Sequence, residues 1–133
     1  MSVVEVRDGS GRLLAVVVRG QRAEPGIGFL TGPESTLQLG WMRRAAGYEV
    51  PAHVHNPVHR EIEGTAEVLF VRSGRVRVRL YGDGYEIQHE DLGPGDVIAL
   101  LAGGHGVEFL EESDVVEVKQ GPYAGNRDKA RLL

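Results

Sequence analysis

Apolar and polar residues alternate over short stretches of this chain, and no longer period competes with that alternation. In residues 75–81 (RVRVRLY), Val76, Val78 and Leu80 fall on one side of an extended strand, with Arg75, Arg77 and Arg79 on the other. Residues 13–18, 67–71, 97–101, 107–110 and 115–119 are further short apolar or alternating runs, and 27–30 is a weaker one. Turn-forming clusters separate them: Arg72-Ser73-Gly74, Gly82-Asp83-Gly84, Gly93-Pro94-Gly95-Asp96 and Gly103-Gly104. Many short strands at this spacing predict an all-β, antiparallel sandwich or barrel. No window of roughly twelve residues sustains a helical period. The charged tail, 126–133, is the nearest approach to one.

Composition narrows this picture. The 133 residues fit one domain: 1–36 N-terminal strands and a loop, 37–119 the barrel core, 120–133 a C-terminal tail. Nineteen glycines and an aromatic content of 6% favour tight turns over a helical bundle. Residues 20–34 are rich in Gly and Pro, and the polar stretch 56–64 (NPVHREIEG) predicts a loop at one rim. There is no cysteine, so any transition metal must be bound through nitrogen and oxygen. A net charge of -4 argues against a nucleic-acid partner. The apolar run 13–18 is too short to span a membrane, and no basic segment precedes it as in a secretory leader. These features predict a cytoplasmic protein.

Candidate chemistry gathers at the histidines. His53 and His55 are two apart, which on a strand sends both imidazoles to one face. Glu67 opens the next apolar run, and His105 follows Gly103-Gly104 at the start of a later one. Three imidazoles and a carboxylate suit a divalent ion such as Fe, Mn, Ni, Zn, Cu or Co. Taken alone, a His-x-His pair is more often surface than ligand.

The wider pattern resembles a family. Gly47, His53, His55, Glu67 and Gly74 are similar to the first motif of the cupins, and Pro94-Gly95-Asp96 with His105 to the second. The resemblance covers about residues 40–119 and is to small single-domain metal-binding cupins of bacteria. It implies a double-stranded β-helix (the jelly-roll barrel), one metal held inside by His53, His55, Glu67 and His105, and often a homodimer. The chain departs from the family in three places. Eleven residues separate His55 from Glu67 where three or four are usual, no proline precedes Gly103-Gly104, and Phe109 stands where asparagine is expected. The ending Val118-Lys119-Gln120-Gly121-Pro122-Tyr123 is similar to a cupin subgroup associated with sugar or secondary-metabolite genes.

Other residues carry weaker signals. His59, Glu61 and Glu63 lie in the inserted stretch, where a solvated loop competes with a ligand or acid–base role. His59 and Tyr123 are the candidate catalytic residues. Trp41, Arg43, Phe109 and Lys119 are candidates for binding substrate. His89 is expected to be exposed in a charged turn, and Arg75, Arg77 and Arg79 to form an outer strand face. Residues 13–18 offer an edge strand for dimerisation. Three functions follow: a metal-dependent enzyme acting on a small molecule (an oxygenase with iron, an isomerase or lyase with another ion), a non-catalytic binding or sensing module, or a metal-free epimerase-like barrel.

Overall fold

The computed structural model describes residues 2–20 and 24–132. The expected all-β class is what it shows: ten strands, all paired antiparallel, and a single 3-10 turn at Gly125–Arg127. In chain order the strands are β1 (Ser2–Arg7), β2 (Leu13–Arg19), β3 (Gly26–Phe29), β4 (Gly40–Arg43), β5 (Glu67–Ser73), β6 (Val76–Gly82), β7 (Tyr85–Leu92), β8 (Val97–Leu100), β9 (Gly104–Phe109) and β10 (Asp114–Lys119). They form a five-stranded sheet ordered β1-β2-β8-β5-β10, a three-stranded sheet ordered β7-β6-β9, and the separate hairpin β3-β4. This arrangement accords with a jelly roll, although its sheets do not close on one another by hydrogen bonding.

Period-two alternation sets which side of each sheet is buried. Val6, Ala15, Val17, Ile98, Leu100, Leu69 and Val71 come from the large sheet; Val76, Val78, Leu80 and Leu92 come from the small one. All eleven belong to one core cluster. The core is therefore the space between two sheets, each contributing alternate residues. Gly74 makes the β5–β6 turn possible. Its φ is +87°, a region that L side chains avoid, and a Cβ there would collide with Ser113.

Two expectations are corrected here. The apolar run 13–18 does not present an edge: β2 lies inside the sheet between β1 and β8, with residues 14–17 buried. Residues 14–17 are buried on both faces of the strand, which is why no alternation shows. His89 is exposed as expected, yet it lies within β7 rather than in a turn. That strand is polar along most of its length, so its hydrophobic pattern is silent.

The outer face of the small sheet is an ion ladder. Arg77 binds the Asp91 carboxylate through two nitrogens at 2.8 and 3.0 Å, and Arg79 reaches Glu86 and Glu108 at 3.2 and 2.9 Å. Arg19 of β2 crosses between the sheets to Glu90, 2.6 Å away, and to the backbone carbonyl of Asp91. The Arg77 guanidinium holds the Asp91 carboxyl down at about 2, below its ordinary 3.8. A depressed carboxylate stabilises the fold above its unfolded pKa, and that contribution is lost as pH falls through the folded value. Acid unfolding should therefore steepen between about pH 4 and pH 2. Asp91→Asn should flatten that part of a circular-dichroism titration; an unchanged profile would contradict the assignment. Core and surface should also separate cleanly. Ile98→Ala, at a fully buried site, is expected to cost about 2–5 kcal/mol. Val54→Ala, at an 84% exposed site, should stay within about 0.5 kcal/mol, both read from denaturant melts.

Candidate active site

Register brings the site together. On the inner face of the large sheet, Leu100 of β8, Glu67 of β5 and Lys119 of β10 lie side by side as Cα partners. The row is apolar toward β8 and becomes charged toward the free edge at β10. Across the sandwich, His105 pairs with the buried Leu80 and so shares its inward face. The two sheets thus set a carboxylate and an imidazole against each other, with His105 Nε2 3.3 Å from Glu67 Oε2. Glu67 is the more enclosed, its side chain 14% exposed against 32% for His105.

The pair stands in a cavity of about 870 Å³. Tyr81 and Thr65 line it beside Glu67 and His105, and residues 128–132 of the tail form another wall. The tail is tied down by Asp128, which accepts a 2.7 Å hydrogen bond from the Thr65 hydroxyl and lies 3.7 Å from Lys119 Nζ. The Thr65 hydrogen bond, followed by the Lys119 charge, holds the Asp128 carboxyl below its ordinary value. Gly103 lets the backbone approach closely just before His105. Its φ is +69°, and a Cβ would meet the Tyr81 carbonyl oxygen and Leu14.

The other two expected ligands are elsewhere. His53 and His55 are neighbours, their rings 5.2 Å apart and edge-to-face at 72°, but they are not on a strand. Residues 44–66 form no strand, and every residue from 42 to 65 is exposed. His53 Nδ1 lies 2.8 Å from the carbonyl oxygen of Pro51, which leaves Nε2 as its outward nitrogen. Among the described residues, no group of three or more His, Cys, Asp or Glu is arranged to hold an ion. The donors form two pairs, Glu67 with His105 and His53 with His55. The structure brings together the first pair at the cavity, and not the second.

The remaining candidates divide in the same way. His59 is 86% exposed on the same stretch, 3.8 Å from Glu61. Tyr123 is 87% exposed and is not part of the cavity wall. Trp41 and Arg43 belong to the β3-β4 hairpin, where the Trp41 indole donates to the Glu24 carbonyl at 3.3 Å. Phe109 lies on the same face of β9 as His105, four residues on and 58% exposed. Lys119 is next to Glu67 in register and contacts the site through Asp128.

Sequence reasoning passed over Tyr81, Thr65 and residues 128–132. Tyr81 continues the outward arginine row in the sequence; it pairs with Gly104, one residue before His105, and so borders the cavity from a position the alternation assigns to the outer face. The tail has no periodicity to read. No protein-family model matches the chain, and neither a curated protein nor a solved structure is detectably similar to it.

The backbone at Gly103 gives a local test. Gly103→Ala should destabilise the protein by at least about 1–2 kcal/mol, because alanine resists positive φ. It should also shift the His105 ring resonances, while Gly93→Ala, with open space around its Cβ, should leave those resonances in place. Unshifted His105 signals in Gly103→Ala would show that the glycine does not position the histidine.

Proposed function

We propose that this chain is a metal-dependent enzyme of the cupin kind acting on a small molecule. The supporting observation is the Glu67–His105 pair, two of the four expected ligands, set 3.3 Å apart at a cavity between two β-sheets. Such a cavity falls in the size range of small-molecule sites. Glu67 and His105 would hold the ion, with His53 and His55 as the further ligands. The linker permits this: the stretch from His55 to Glu67 reaches up to about 40 Å when extended.

A bound divalent ion would supply Lewis-acid polarisation of a substrate oxygen or, with iron, oxygen chemistry. The chain's own residues do the rest. The inner-face row ending at Leu100 keeps one side of the site dry. Tyr81 lines the same cavity, and Lys119 neutralises Asp128 so that the tail stays against the site.

Elemental analysis of protein purified without chelators or an affinity tag tests the reading. About one equivalent of a divalent transition metal is expected. His105→Ala and His55→Ala should lose it, and His89→Ala, on the outer part of β7, should keep it. Metal retained in His105→Ala but absent from His89→Ala would overturn the ligand assignment. No metal in any form would favour a second reading that the geometry also supports. In that reading Glu67 and His105 are an acid–base pair in a metal-free, epimerase-like barrel, with Tyr81 as the further proton-bearing group. A binding module without chemistry would share the same cavity. A homodimer is part of the proposal, and among the described residues no helix is long and apolar enough to cross a membrane.

A further inference from the structure

The C-terminal tail contributes residues 128–132 to the lining of the cavity, and two of them are cations. Lys129 and Arg131 both line the cavity that holds Glu67 and His105. Asp128, the nearest acid in sequence, is already engaged by the Thr65 hydroxyl and the Lys119 ammonium. Glu67 is engaged by His105. Among the described residues, neither Lys129 nor Arg131 is in contact with a carboxylate, although the Lys129 charge acts on Asp128 from beyond contact distance. The chain as a whole carries a net charge of -4, so two cations without a contacting acid on one wall run against its overall balance.

We propose that the cavity takes a small acidic molecule, whose carboxylate or phosphate is held by Lys129 and Arg131 while its other end is directed at Glu67 and His105. This rests on the cavity of the proposed function and adds the charge class of its substrate. A neutral ligand filling the same space would offer these cations no counter-charge. An anion would form charge-assisted hydrogen bonds with them, and a guanidinium can grip a carboxylate or phosphate with two parallel ones. The tail is placed to do this. Asp128 fixes one end against Thr65 and Lys119, and Leu132 packs against Gly104, where a Cβ would collide with it. The two cations lie between these anchors.

The test is a titration of the full-length, isotope-labelled protein in the presence of a chelator, followed by amide shifts. The probes are inorganic phosphate, succinate, and succinamide as the uncharged counterpart of succinate. Saturable shifts at Gly104, His105 and Arg131 are expected with phosphate or succinate and not with succinamide. A response to phosphate alone assigns a phosphate ligand, and a response to succinate alone assigns a carboxylate. The Lys129→Gln/Arg131→Gln variant should bind about tenfold more weakly or worse. Arg7→Gln, at a site engaged with Glu5 on β1, should bind like the parent. Both tail residues are exposed, and a dispersed amide spectrum of the double variant confirms that it is folded. Three results would overturn the proposal: no saturable shift with either anion, equal shifts with succinamide, or parental affinity in the double variant. Because the chelator removes any metal, failure here leaves the metal reading standing, and loss of the metal reading leaves this one standing.

Discussion

A carboxylate on the inner face of a sheet is the constraint on which this site depends. Glu67 occupies a position whose neighbours along the same face, Leu69 and Val71, are buried in the core. A charge enclosed there without a partner would be strongly unfavourable. Three things relieve it. Glu67 stands at the first residue of β5, at the end of the sandwich; His105 meets it from the facing sheet; and a cavity gives access to water. The polar end and the apolar core are thus parts of one register. A one-residue slip of β5 would turn Glu67 outward and put Val68 and Phe70 in place of Leu69 and Val71.

The two sheets hold that register by different means. The large sheet is fixed mainly by burial, since its β2 and β8 strands are enclosed over most of their length. The small sheet relies more on charge, with Arg77 on Asp91 and Arg79 between Glu86 and Glu108. Exposed ion pairs contribute little singly, but the bidentate Arg77–Asp91 pair and the half-buried Arg19–Glu90 bridge have better geometry than most. Arg19 joins β2 to β7 and so ties one sheet to the other.

This difference explains how much was legible in the sequence. Strands that bury one face print their period on the chain, and β5, β6, β8 and β10 lie close to where alternation or an apolar run puts them. So does β2, although its place inside the sheet was hidden, because an apolar run does not say whether a strand is an edge. The strand β7 went unseen. Its stability comes from the hairpin with β6 and from cross-strand ions, and neither leaves a hydrophobic signature. Within the site, Glu67 and His105 were legible because each sits beside a recognisable strand start. The tail was not, since its position depends on contacts with Thr65, Lys119 and Gly104 made late in the chain.

His53 and His55 show where local pattern and tertiary structure part. Tyr48, Val50, Ala52 and Val54 alternate with Glu49, Pro51, His53 and His55, which is a half-buried strand pattern, yet the stretch is exposed throughout. A period of two prefers an extended backbone but creates no strand without an edge to pair with. Such edges exist: β9 and β10, joined by the short turn 110–113, end the two sheets, and the inward-facing Val107 and Phe109 of β9 are exposed. The open side of the sandwich, the free edge of β9 and the Glu67–His105 pair are therefore adjacent features. An opening is what a small molecule needs to reach the pair, and an unpaired edge is what the exposed stretch lacks. The same side of the fold therefore carries both the approach to the Glu67–His105 pair and a strand edge that no other described strand covers.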